Sequence, residues 1–244
     1  MLNQPTKRLL NNTATPDWPE FFAKLADQAK DSRLKQYYST GMVSGDTPLR
    51  NVPFVALDFE TTGLAPKKDG IVSIGLVPFT LQRIRCRESA HWVINPHQPL
   101  DEESVVIHGI THSNVNDAPD LLRILEKVLD ALAGKIIVVH YQRIEREFMN
   151  RALKVRLNEG IKFPVVDTMA IESAIQHRQS GGFWKRLQGK KTDSVRLGKA
   201  RQRYGLPAYQ PHHALTDALA TAELLQAQIA YHFDPDTPLS EIWQ

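Results

Sequence analysis

The chain has 244 residues, is 42% hydrophobic and 23% charged, and carries a formal net charge of +3. These values suit a soluble globular protein with one good core, and they exclude a largely disordered chain. A single cysteine, Cys86, excludes an intrachain disulfide and a cysteine-built zinc site. The opening residues lack the apolar run of a signal peptide and no later stretch approaches a membrane span, so the expected compartment is the cytoplasm, with no membrane partner.

The first 50 residues differ from the rest. A polar, Asn- and Thr-rich start leads to "DWPEFFAKLADQAKDSRLKQYYSTG". Asp17 is placed to cap a helix with Pro19 in its first turn, and Phe21, Phe22, Leu25 and Ala29 follow at helical spacing. Gly41, Gly45 and Pro48 then break the pattern. Residues 1–50 are expected to be a helical extension and linker, residues 51–233 the main domain, and residues 234–244 a C-terminal tail.

From residue 52 the pattern alternates. Residues 52–60 read as a strand, as do 70–82 and 85–96, with the latter two paired. Residues 117–134 form an amphipathic helix closed by Gly134. "KIIVVH" is a buried strand and residues 144–157 the helix after it. Residues 163–178 give a short strand and a helix; residues 194–205 and 212–233 give two more helices. The expected class is α/β, a mixed sheet with helices on its faces.

The strand "FVALDFETTG" raises a chemical question. With period two, Phe54, Ala56, Asp58 and Glu60 share one face, which puts two carboxylates about 7 Å apart on a half-buried surface. Like charges there repel and lose hydration unless a divalent cation lies between them, although two solvated acids at a strand end fit the same pattern. The following "TTG" offers backbone donors, two hydroxyls and a glycine that permits close approach to a phosphate or nucleotide.

A second group lies in "QPHHALTDALATA". Pro211 suits a helix start, which puts His212 and His213 in the loop or first turn and Asp217 about one turn on. Small residues surround Asp217 and leave room for something bulky, such as a hydrated metal. A histidine beside it suits general-base chemistry near neutral pH.

Together these motifs resemble the DEDD superfamily of 3′–5′ exonucleases, and within it the DnaQ-like branch with histidine in its last motif (DEDDh), which includes proofreading epsilon subunits and ribonuclease T. Asp58, Glu60, Thr61, Thr62 and Gly63 match the first motif; His212, Ala214 and Asp217 match the last, with Ala214 setting the register so that His212 takes the base position. "VIHGIT" and "LGKARQRYGL" also resemble segments of this branch. The middle motif departs. Aligning His140 and Phe148 of "HYQRIEREF" puts Glu145 where the family has Asp, with Tyr141, Gln142 and Ile144 replacing Asn, Ala and Phe. Glu147 and Asp167 compete for that role, Asp167 at a strand–helix junction where an N-cap is expected.

The resemblance implies a ribonuclease H-like mixed β-sheet and two divalent cations, Mg²⁺ or Mn²⁺, held by Asp58, Glu60, Glu145 and Asp217. It further implies His212 as general base, a grip on the terminal nucleotide by Thr61, Thr62 and Gly63, and Leu64 beside its base. The implied activity is metal-dependent release of 5′-mononucleotides from single-stranded 3′ ends, DNA favoured. The alternatives are trimming of RNA 3′ ends and a catalytically weak nucleic-acid-binding subunit. Basic residues between 185 and 203 are expected to meet the strand's phosphates, whereas Phe183 and Trp184, which offer stacking, are read as aromatics tucked against the core. A polymerase or other protein partner is expected through the N-terminal helix.

Overall fold

The computed structural model describes residues 10, 15–179 and 193–244. Lys190 and Lys191, expected to contact the strand, lie outside the described residues, as do Phe183 and Trp184.

Five strands form one mixed sheet: β1 (Phe54–Thr61), β2 (Ile71–Phe79), β3 (Ala90–Val93), β4 (Ile136–Val139) and β5 (Val165–Asp167), in the order β3-β2-β1-β4-β5. β1 pairs antiparallel with β2 and parallel with β4; β2–β3 is antiparallel and β4–β5 parallel. Every residue of β2 and β4 is buried, as strands covered on both faces require. The sheet agrees with the expected class. The third strand is shorter than the expected 85–96, because Cys86–Glu88 close into a 3₁₀ turn that leaves four residues to pair.

The helices are α1 (Trp18–Gln28), α2 (Ser32–Ser39), α3 (Glu102–His108), α4 (His112–Asn116), α5 (Leu121–Leu132), α6 (Arg143–Leu157), α7 (Thr168–Gln179), α8 (Leu197–Arg203) and α9 (Ala214–His232). α3 and α4 lie in a stretch whose sequence gave no helical period. They are one to two turns long and bury one residue each, Ser104 and Val115, so an amphipathic stripe never develops. No helix among the described residues is long and apolar enough to cross a membrane.

Asp17 caps α1 by accepting the Glu20 N–H at 3.1 Å, and Trp18, Phe22 and Ala26 then point inward. Phe22 meets Tyr37 and Tyr38 of α2 at ring distances of 5.5 and 5.1 Å. These side chains belong to the same buried cluster as the sheet. The Arg146 guanidinium of α6 lies 5.8 Å from the Trp18 ring, which ties the N-terminal helices to the main body. Leu239, Ile242 and Trp243 enter that cluster from the C-terminal side, and Gln244 bonds Val165 through N–H and C=O at 2.8 and 3.2 Å.

Candidate active site

β1 carries its two acids into the sheet's centre. Asp58 pairs with Gly75 on β2, which pairs with His91 on β3. Gly75 leaves a trough in that row, and the first turn of α9 lies in it. A Cβ at Gly75 would stand 2.3 Å from the carbonyl carbon and oxygen of Ala214, closer than any side chain allows. The missing side chain lets α9 descend beside Asp58 and bring Asp217 to it. Ala214 is small for the same reason: it is fully buried against β2. At this position smallness serves helix–sheet contact, whereas the sequence suggested room for a hydrated ion.

Asp58, Glu60 and Asp217 converge so that one carboxylate oxygen from each lies within 4.8 Å of the others. No other group of three or more possible metal ligands occurs among the described residues. Burial pushes the Asp58 carboxyl well above the usual carboxylate range, and the charges of Glu145, Asp217 and Glu60 push it further. Burial, with Asp217 beside it, raises Glu60 to about 8. Asp217 rises through burial, offset by the His212 N–H.

Glu145 enters from the first turn of α6. It is 2% exposed, is the strongest charge acting on Asp58, and its Oε2 has no hydrogen-bond partner. It lies outside the three-carboxylate group but inside its electrostatic reach. The two competitors are occupied elsewhere. Glu147 pairs with Arg143 at 3.1 Å on the surface. Asp167 caps α7 by accepting the Met169 N–H at 2.9 Å, and binds the N–H groups of Tyr141 and Gln142 at 3.1 and 3.0 Å. The expected N-cap thus also holds the turn leading to Glu145.

His212 sits at an exposed bend with φ +67°. Its N–H donates to Asp217 Oδ2 at 2.8 Å. His213 is the α9 N-cap, accepting the Thr216 N–H at 3.4 Å, and its ring lies 4.7 Å from that of His91. Further back, Arg201 clamps the strap that leads to His212. Its guanidinium donates to Pro207 O at 2.9 Å, Ala220 O at 2.7 Å and Glu223 at 2.7 Å, and lies 4.5 Å from the Tyr209 ring. Arg201 is 3% exposed, and Arg203 pairs with buried Glu172 at 2.8 Å. Both were counted from sequence in a basic surface; here they hold helices together, Arg201 buried and Arg203 exposed, and Arg196 and Lys199 are also exposed.

After β1, the loop of residues 62–70 closes on itself. Thr61 Oγ1 donates to Gly63 O at 2.7 Å, the Gly70 N–H donates to Thr62 Oγ1 at 3.1 Å, and Asp69 Oδ2 accepts the Ala65 N–H at 2.7 Å. A Cβ on Gly63 would stand 2.5 Å from Asp69 Oδ2. The glycine therefore admits the Asp69 carboxylate beneath the loop. Both threonine hydroxyls are engaged within the loop, and Leu64 projects from it, 83% exposed. His108 orders its own turn, accepting the Ile110 N–H at 3.0 Å. His140 is structural: it bonds Thr168 Oγ1 at 2.8 Å and Val195 O at 3.0 Å, and burial lowers its pKa to about 4.

Asp69, Gly75, His91 and Arg201 were not recognised as site scaffolding from sequence. Only Gly75 carried a signal, as an isolated glycine inside an apolar strand, which marks close backbone approach.

The model of an exonuclease family, RNase_T, matches residues 55–225. The PolC-type DNA polymerase III of Thermotoga petrophila is 29% identical over 182 residues, 75% of this chain and 12% of that protein's length. The DNA polymerase III subunit epsilon of Treponema pallidum is 29% identical over 182 residues, 75% of this chain and 79% of that one. In fold, the chain is similar to cell-death related nuclease 4 (CRN-4), with TM-score 0.61 at 19% identity, covering 76% of this chain and 65% of that one. It is also similar to the nuclease domain of 3′hExo, a DEDDh family member bound to rAMP, with TM-score 0.58 at 16% identity over 74% of this chain and 92% of that one.

Proposed function

The chain belongs to the RNase_T exonuclease family, and from that premise we propose that it removes 5′-mononucleotides stepwise from the 3′ ends of single-stranded nucleic acid, with DNA favoured. The observation that carries the proposal is the convergence of Asp58, Glu60 and Asp217 within 4.8 Å, with buried Glu145 beside them.

The donor set suits divalent cations. All the donors are carboxylate oxygens, their pKa values rise together, and Glu145 Oε2 is buried without a partner. Such a group is unfavourable as four anions and becomes favourable around positive charge. Two ions, Mg²⁺ or Mn²⁺, would supply Lewis-acid chemistry there, favouring ionisation of the attacking water and offsetting negative charge. Asp58, Glu60, Glu145 and Asp217 would hold them. His212, on the rim and tethered to Asp217, takes the proton from the attacking water. A P–O bond to that water forms in line as the bond to the 3′-oxygen breaks, and the nucleotide leaves with its 5′-phosphate. The loop of residues 62–70, closed by Asp69, presents Leu64 to the terminal base. The polymerase III relatives support DNA as substrate; the neighbour holding rAMP supports RNA as the second reading.

Matched DNA and RNA strands labelled at either end test this, with Mg²⁺, Mn²⁺ or chelator. Labelled mononucleotide should appear first from the 3′-labelled DNA and only with metal. Release first from the 5′ end, or release in chelator, contradicts the proposal; faster loss of RNA selects the second reading. A polymerase subunit is the partner class suggested by the relatives. Removing residues 1–48 would strip Trp18 and Phe22 from the core, so association is better tested by charge reversal at exposed Glu20 and Lys24.

A further inference from the structure

Tyr141 follows β4 by two residues and has φ +91°. A tyrosine in the left-handed region is strained, because its Cβ crowds the backbone in a way that Gly avoids and Asn tolerates. Buried Asp167 enforces the conformation, its two oxygens accepting the N–H groups of Tyr141 and Gln142. The Tyr141 carbonyl then accepts the Ile144 N–H at 3.2 Å. Tyr141 belongs to neither hydrophobic cluster. Tyr141 is 41% exposed, and its side chain lies within hydrogen-bonding reach of Arg143, whose own side chain is 64% exposed. An outlier held in place by its surroundings, outside both clusters, points to function.

Its position says which. Ala56 on β1 is level with Val138 on β4, so Asp58, two residues on, and Tyr141, three residues on, leave that parallel pair at the same end. Glu145 is one helical turn further along. The site lies at the C-terminal ends of two parallel strands, where open α/β sheets bind their ligands.

We propose that Tyr141 is a nucleobase-stacking residue: its exposed ring takes the face of a base in the strand held at the carboxylate cluster, and Arg143 beside it meets that strand's phosphate. Aromatic stacking with an adjacent cation is the usual grip on single strands. The proposal rests on the exonuclease reading and adds to it a contact at a position where the family resemblance has Asn.

The test compares the whole chain with Tyr141→Phe and Tyr141→Asn, binding an end-labelled oligothymidine with calcium in place of magnesium. Phe should bind within about twofold of the parent. Asn should bind roughly 5- to 100-fold more weakly, the range for one lost base stack. On a strand whose last two nucleotides are abasic, the parent and the Asn variant should bind alike. Because Asn relieves the backbone, its melting temperature should rise by about 1–3 °C. Full affinity in the Asn variant overturns the proposal, as does equal loss on the abasic strand or a lower melting temperature. Cleavage by the parent in magnesium, measured in parallel, separates the two claims. If the parent cleaves and the Asn variant binds normally, only the stacking role falls; if the parent neither binds nor cleaves, both fall.

Discussion

The main-chain N–H of His212 donates to Asp217 Oδ2 at 2.8 Å, while the His212 imidazole stays exposed on the site's rim. One carboxylate thus both positions the bend that carries His212 and faces Asp58 and Glu60. The side chain of His212 is not needed for the tether, since the donor is backbone. His212→Ala should therefore keep metal and strand affinity and lose about 10²- to 10⁴-fold in kcat, the usual weight of a general base. Single-turnover rates beside binding isotherms check this; a kcat near the parent value removes His212 from the mechanism.

Gly75 makes the site by omission. Gly75→Ala puts a methyl carbon 2.3 Å from Ala214 backbone atoms that belong to a helix and have no rotamer to change. α9 must lift, taking Asp217 away from Asp58 and Glu60. The expected loss is about 1–3 kcal/mol in stability and at least tenfold in apparent Mn²⁺ affinity. Denaturant melts with metal titration measure both. A control at Gly198, inside α8, where an added Cβ meets nothing within 4 Å, should leave Mn²⁺ affinity unchanged and raise stability by about 0.5–1 kcal/mol.

Without metal, the carboxylate cluster makes stability fall as pH rises. Burial pushes Glu60 up to about 8 in the folded state from 4.5 for a free glutamate, so the folded chain holds a proton that the unfolded chain has released across that window. The folded state binds more protons, so each pH unit there costs up to about 1.4 kcal/mol for such a group. Asp58, Glu145 and Asp217 shift in the same direction. The chelated protein should melt at a lower temperature at pH 8 than at pH 5.5. Mn²⁺ should restore most of the difference at pH 8 and little of it at pH 5.5. A flat pH profile in chelator would falsify the buried-cluster account.

Glu145 supplies a direct test of the altered middle motif. Glu145→Gln keeps the shape and removes the charge; it should cost at least 100-fold in kcat and weaken metal binding. Glu145→Asp withdraws the carboxylate by about one C–C bond, roughly 1.5 Å. With Glu145 already outside the 4.8 Å group, that withdrawal should lower activity more in Mg²⁺, which demands near-ideal geometry, than in more permissive Mn²⁺. Glu147→Gln breaks a surface pair and should leave kcat unchanged.

Much of this was legible in the sequence because it is local. Strand alternation alone puts Asp58 and Glu60 on one face, and it does. The capping rule put Asp17 at the start of α1 and Asp167 at the start of α7, and both accept the expected N–H groups. The spacing of His212 and Asp217 described one turn at a helix start. Short-range geometry depends on φ, ψ and residue type over a few positions, and a sequence states those directly.

What remained hidden depends on elements far apart in the chain. Gly75 and Ala214 are separated by more than half its length, and only their contact explains why one is glycine and the other alanine. Arg201 and Arg203 looked like surface cations until their partners Ala220, Pro207 and Glu172 arrived from other elements. Residue types and spacing by themselves determined which acids and which histidine this chain carries, and on which faces of which elements. Only the tertiary structure decided that those acids meet, since their meeting requires a missing side chain on β2, a helix lying in the gap, and enough burial to raise their pKa values together.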